Sequence, residues 1–293
     1  MIKIREADLE AMSIKATSVP HKPGPLFASE LIGTALLVLV GLSLVTVMFG
    51  TGSPVPRIIP DEATRRLVTG FLFGTTGALI ALSPLGKISG AHINPVVSLG
   101  FCLMGKLDPL VTIGYISAQL AGGIVGSVPL LAWGAMGRSV AFGATTPGPG
   151  HSTMAALLGE VITTFAMVTL LCVFLGFRKS RRFTPALFPV LYAVMVCLEA
   201  PISGTSTNPA RSLGPAIASG TWQAWWIYWL GPFIGMLLAI MACSALANRI
   251  EVAKIYHFDS DRGGLLRGRR WRYGNKDSSD VQHTQFEAAR RDK

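Results

Sequence analysis

Charge is scarce in this chain, and nucleophilic or metal-binding side chains are scarcer still. Only 14% of the 293 residues are charged, half are hydrophobic, and mean hydropathy is positive. That balance excludes an ordinary soluble domain and points to a chain that crosses a bilayer several times. The four cysteines, Cys102, Cys172, Cys197 and Cys243, lie apart in apolar stretches. They lack the spacing of a zinc site or a disulfide framework and read as small buried residues. The five histidines, His21, His92, His151, His257 and His283, are scattered, mostly in loops or tails. No nucleophile, base and metal ligand converge, so no catalytic residue, metal or cofactor is expected. The first 25 residues lack the apolar core and cleavage site of a signal peptide and read as a soluble tail.

What is present in quantity is apolar runs. Stretches near Leu26 to Phe49, Leu67 to Leu85, Pro109 to Trp133, Met154 to Phe177, Pro185 to Ile202 and Trp222 to Ala247 each approach the roughly 20 residues that span a bilayer. The net charge of +10 follows this layout rather than a nucleic-acid surface. With the amino terminus inside, 21 of the 26 Lys and Arg fall on the cytoplasmic side, which fits two cytoplasmic termini. The basic tail from Arg249 to Lys293, with Arg267, Arg269, Arg270 and Arg272 around Trp271, suits either anionic lipid headgroups or plain solvent.

One stretch occurs twice. Ser89-Gly90-Ala91-His92-Ile93-Asn94-Pro95-Val96-Val97-Ser98-Leu99-Gly100 returns as Ser203-Gly204-Thr205-Ser206-Thr207-Asn208-Pro209-Ala210-Arg211-Ser212-Leu213-Gly214, with seven of twelve positions identical. Asn is a favoured N-cap and Pro is favoured at the first helical position, where its missing amide costs nothing. Each copy therefore predicts the start of a short helix. Val96 to Met104 spans only about 14 Å as a helix, half of a hydrocarbon core. The two copies read as re-entrant half-helices whose irregular approaches line a cavity, the setting in which such backbone is tolerated at membrane depth.

Other marks repeat. Glu30 and Glu160 each stand four residues before a threonine, and Tyr115, Ala118 and Gly122 answer to Tyr228, Gly231 and Gly235. An odd number of spans separates the copies, so the halves, about 26–133 and 154–247, are inverted. Inverted repeats with interrupted helices place the working site where the halves meet.

These residues resemble the aquaporin, or major intrinsic protein, family. Six spans, two Asn-Pro boxes, the paired glutamates and Asn-Pro-Ala-Arg-Ser carry the likeness, although the first box reads Asn94-Pro95-Val96. The resemblance implies an all-α membrane protein with six transmembrane helices and two half-helices, spanning residues 26–248 between an N-terminal tail (1–25) and a C-terminal tail (249–293). It implies a homotetramer in the lipid bilayer; separately, short tails and the absence of a signal peptide suit a bacterial inner membrane as the expected location. The pore-lining caps are then Asn94, Pro95, Asn208 and Pro209. The selectivity filter is Gly74, Val196, Thr205 and Arg211, with His92 in the cytoplasmic vestibule. A register one residue earlier puts Phe73 in place of Gly74. Glu30 and Glu160, carboxylates inside the membrane, are expected to accept hydrogen bonds from loop amides. Glu199 pairs with Arg211, lines the mouth, or rests inertly at the interface.

The solute signals conflict. Strict water channels of the family usually have an aromatic and a histidine where Gly74 and Val196 stand, so the filter reads as wide enough for glycerol, urea, ammonia, hydrogen peroxide or metalloid acids. Ser212, Tyr228 and Trp229 instead resemble water channels. The leading reading is a passive channel for water and small neutral solutes that excludes ions. A secondary transporter built on inverted repeats, which needs titratable or ion-binding groups at the midplane, is the alternative; a membrane enzyme has no reactive cluster to stand on.

Overall fold

A computed structural model describes residues 23–250, and every regular element among them is helical. The basic C-terminal cluster and the N-terminal tail lie outside the described residues. Eight helices carry the architecture: α1 (Gly24–Phe49), α2 (Glu62–Leu82), α3 (Pro95–Leu103), α4 (Pro109–Ser127), α5 (Thr153–Gly176), α6 (Thr184–Ser203), α7 (Pro209–Ser219) and α8 (Ile227–Ala242). Four stretches, Gly24–Phe49, Pro109–Arg138, Thr153–Gly176 and Thr184–Ser203, are long and apolar enough to cross a membrane on their own. Helices α2 and α8 complete six spans, and α3 and α7 are the two half-helices.

Three ends differ from the expected spans for local reasons. Helix α2 starts at Glu62 because Asp61 caps it, its carboxylate accepting from the Thr64 amide at 2.6 Å. The Thr64 hydroxyl and amide hold that carboxyl below its ordinary range. Past Ser127 the third span tightens into a 3-10 segment, Val128–Trp133, where Pro129 has no amide to continue an α-helix. Helix α8 begins only at Ile227, after Ala224 turns through a positive φ of 48°.

Spans α1 and α5 each bury a carboxylate and a threonine on the inner face. On α1, Glu30, Thr34, Val38 and Leu42, four apart, are fully buried, while Ile32, Leu36 and Val40 are exposed. Helix α5 repeats this, with Glu160 and Thr164 inside and Leu158 and Ile162 outside. Such a pattern is the reverse of a soluble helix, because lipid is as apolar as any core.

Glycine sets the helix spacing. A Cβ on Gly70 or Gly74 of α2 would run into the carbonyl of Tyr192 or Phe188 on α6. Gly122 and Gly126 of α4 meet the Leu31 and Ala35 carbonyls of α1, and Gly235 of α8 meets Val161 of α5. Thus α1–α4 and α5–α8 are repeat-related pairs, and α2–α6 joins the halves. Half-helix α7 is held the same way, Gly214 lying against the Gly123 carbonyl of α4.

Gly70→Val should therefore destabilise the protein in detergent by about 1–3 kcal/mol through overpacking. Gly77→Ala, whose nearest obstacle is a Leu37 methyl at 3.8 Å, should stay within about 0.5 kcal/mol. Thermal unfolding of the two variants checks the contrast.

Candidate functional site

The site forms where the amino termini of α3 and α7 meet. Asn94 caps α3, its Oδ1 accepting from the Val96 amide at 2.9 Å. Asn208 caps α7, its Oδ1 accepting from Ala210 and Arg211 at 3.0 and 3.4 Å. Each amide group then reaches across the repeat. Asn94 Nδ2 donates to the Thr207 carbonyl and Asn208 Nδ2 to the Ile93 carbonyl, both at 2.9 Å. Every Nδ2 carries a second hydrogen, and both asparagines line a small cavity of about 50 Å³. Two half-helix dipoles, each about half a positive charge, point at that cavity.

The loops that lead into the caps are strained in the same way. Ala91 and Ile93 have φ of 48° and 43°, and Thr205 and Thr207 have 52° and 51°. Left-handed geometry is costly for β-branched residues and survives only where the surroundings impose it. Here the buried carboxylates impose it. Glu30 accepts from the His92 and Ile93 amides at 2.9 and 2.6 Å, and Glu160 from Ser206 and Thr207 at 2.7 and 2.8 Å. Ser89 and Ser203 donate to the same carboxylates, and the Tyr115 and Tyr228 hydroxyls bond the Ser89 and Ser203 carbonyls at 2.7 and 2.9 Å. The equivalence of the two tyrosines is thus a shared contact with the re-entrant loops.

A larger cavity of about 340 Å³ lies on the other side of Phe73 and Tyr192, which line both spaces and mark the neck between them. Val196, Thr205 and Arg211 line the larger cavity together with Phe73. Gly74 does not join them: it faces the small cavity and packs on the Phe188 backbone. The one-residue shift is explained by helix contact, since α2 needs its small residue where α6 crosses it, and the neighbouring side chain turns to the opening. Arg211 is buried, and its guanidinium donates to the Gly143 carbonyl at 2.6 Å.

His92 is almost wholly buried, 2% exposed. It stacks on Phe101 at 4.9 Å, has Ser98 Oγ 3.1 Å from Nδ1, and lines the small cavity. Glu199 neither pairs with Arg211 nor lines the mouth. It accepts a 2.5 Å bond from the Thr205 hydroxyl and lies against Gly159. Ser212 bonds Thr145 and Ser206, and the Tyr228 hydroxyl is turned to Ser203.

Three participants escaped the sequence reading. Gln119 donates to both Glu30 and Ser98 at 2.7 and 2.8 Å; a lone amide inside an apolar span was its available signal. Tyr192 closes the neck, its hydroxyl 2.9 Å from Thr207 Oγ1, and no pattern around it marks that role. Gly143 offers only a backbone carbonyl, which sequence does not advertise.

An all-helical bundle of inverted halves with paired half-helices defines a membrane channel architecture. The Major intrinsic protein family model matches residues 22–243. Aquaporin AqpM of Methanothermobacter marburgensis is 35% identical over 237 residues, 75% of this chain and 96% of its own. Aquaporin-8 of Mus musculus is 32% identical over 229 residues, 72% of this chain and 80% of its own. The aquaglyceroporin structure from Plasmodium falciparum superposes with a TM-score of 0.60 at 23% identity, covering 77% of this chain and 96% of that one. The chain belongs to the major intrinsic protein family.

Replacing Glu30 by Gln removes a charge and leaves one acceptor oxygen for the two loop amides, Ser89 and Gln119. Each lost charge-assisted bond is worth about 1.5–3 kcal/mol. The variant should lose folding yield and unfold at lower temperature, read by size-exclusion profile and thermal melting in detergent; an unchanged melting temperature would count against the lock.

Proposed function

We propose that the protein is a passive channel for water and small neutral solutes, with the path running through the larger cavity, the Phe73–Tyr192 neck and the Asn94–Asn208 pair. The observation that carries this reading is the reciprocal asparagine bonding at the junction of two half-helix amino termini. A permeant oxygen meets amide donors there in mostly apolar walls, and the paired dipoles oppose cations. Arg211 adds a fixed positive charge at the larger cavity, beside Arg66 and Glu62, which pair with each other. Glu30 and Glu160 spend their lone pairs on loop amides, which leaves little for coupling ions and favours a channel over a transporter.

The selective group in this reading is Phe73, Val196, Thr205 and Arg211. An aromatic and an arginine suit water, while Val196 in place of the histidine of strict water channels leaves an apolar wall for the carbon chain of a small polyol. The location we propose is a bacterial inner membrane. The Lys and Arg bias supports cytoplasmic termini and puts the larger cavity on the outer side. The exposed apolar faces of the bundle suit lipid and a homotetramer.

Stopped-flow light scattering on proteoliposomes tests the reading, with osmotic water flow and glycerol uptake run against empty liposomes. Water flow well above the control supports it; neither solute exceeding the control rejects it. Val196→His narrows the larger cavity and should cut glycerol uptake about tenfold, equivalent to about 1.4 kcal/mol on the barrier, with water changed much less.

A further inference from the structure

The turn that joins α5 to α6 carries charge of one sign only. Residues 177–183 read Phe177-Arg178-Lys179-Ser180-Arg181-Arg182-Phe183, four cations bracketed by two phenylalanines with no acid among them. One cation is spent on the protein itself. Arg181 donates from Nε to the Leu175 carbonyl at 3.0 Å and from Nη2 to the Arg249 carbonyl at 3.2 Å, which closes the last turn of α5 and ties the chain beyond α8 to it. The Ser180 hydroxyl also turns back, lying 3.0 and 3.1 Å from the Phe174 and Phe177 carbonyls. Arg178, Lys179, Arg182 and Arg249 are exposed. Two of these guanidiniums lie over rings, Arg182 at 4.6 Å from the Phe183 centroid and Arg249 at 5.4 Å from that of Phe177. Both rings are themselves open, 50% and 43% exposed. Among the described residues no carboxylate pairs with any of the four exposed cations.

Position decides what such a patch meets. Helices α5 and α6 are both long and apolar enough to cross a membrane, so a short turn between them stays at the level where hydrocarbon gives way to headgroups. An open phenylalanine ring is disfavoured in water and finds apolar contact at the acyl edge of that layer. A guanidinium whose face rests on a ring keeps its N–H edge for oxygen anions, and that edge matches a phosphodiester with two parallel hydrogen bonds. Charge and rings together therefore fit a ligand that is anionic on one side and apolar on the other.

We propose that Arg178, Lys179, Arg182 and Arg249, bracketed by Phe177 and Phe183, form a docking surface for the headgroups of anionic phospholipids. The occupant is the phosphodiester of a bilayer lipid rather than free phosphate, because inorganic phosphate has no acyl chains to meet the flanking rings. The proposal rests on the membrane-spanning fold and is independent of which solute permeates.

The full chain in neutral detergent is titrated with phosphatidylglycerol, with phosphatidylcholine of the same acyl chains and inorganic phosphate as controls, and bound lipid is read by native mass spectrometry. Phosphatidylglycerol should bind about tenfold or more tighter than phosphatidylcholine, and its affinity should fall as salt rises. Each cation facing an anionic lipid surface is worth about fivefold in binding, so Arg178→Gln, Lys179→Gln and Arg182→Gln together should weaken phosphatidylglycerol about a hundredfold and leave phosphatidylcholine unchanged. Should that triple variant fail to fold, Arg178→Gln and Arg182→Gln singly read the same point at about fivefold each. The C-terminal cluster is the rival source of affinity, so Arg267, Arg269, Arg270 and Arg272 are replaced by Gln in a second full-length variant. Preference for phosphatidylglycerol that survives in this variant and is still lost on adding the three turn substitutions supports the proposal. Equal binding of the two lipids, an affinity untouched by the turn substitutions, or a preference that vanishes with the C-terminal cluster overturns it. So does inorganic phosphate that competes the lipid off at equal concentration, which makes free phosphate the occupant.

Discussion

The fold hangs on how two short loops keep their backbone amides satisfied at membrane depth. Water and lipid offer them nothing there, so each loop borrows a carboxylate from the opening third of a spanning helix, Glu30 for one and Glu160 for the other. The same bonds hold four non-glycine residues in left-handed geometry, and that geometry turns the chain so that Asn94 and Asn208 arrive at the junction side by side. Without the carboxylates the half-helices have no fixed approach, and the asparagines no reason to meet.

Around this lock the packing is mostly backbone on backbone. Glycines at four-residue spacing let α2 reach α6 and α4 reach α1, so helix carbonyls touch the neighbouring helix instead of side chains. Close approach leaves little free space where these helices cross. The neck at Phe73 and Tyr192 follows directly: their rings, 5.5 Å apart, stack beside the glycine contacts that bring α2 and α6 together.

The two halves are alike but not equal. Gln119 braces Glu30 in the first half, whereas in the second half Glu160 has Glu199 nearby and Arg211 beyond it. The first box leads to a plain apolar half-helix; the second carries the guanidinium. Asymmetry is concentrated on the side of the larger cavity, so the inverted repeat supplies the scaffold and the departures from it supply the chemistry.

The architecture was largely legible in the chain. Apolar length, the twice-written Asn-Pro stretch and the paired glutamates are local or periodic signals, and membrane physics allows few structures that use them. The caps and the loop carboxylates were readable for the same reason. Two features were not. Phe73 rather than Gly74 faces the larger cavity, because which side of α2 turns inward depends on where α6 crosses it, and a crossing is a relation between distant segments. Likewise Glu199 was open to pairing with Arg211, lining the mouth or resting at the interface, yet the guanidinium takes the Gly143 carbonyl and Glu199 takes Thr205. Residue types and spacing specify which groups must be satisfied in a membrane; packing in three dimensions selects the partner, since backbone carbonyls and helix rotations leave no mark in the sequence.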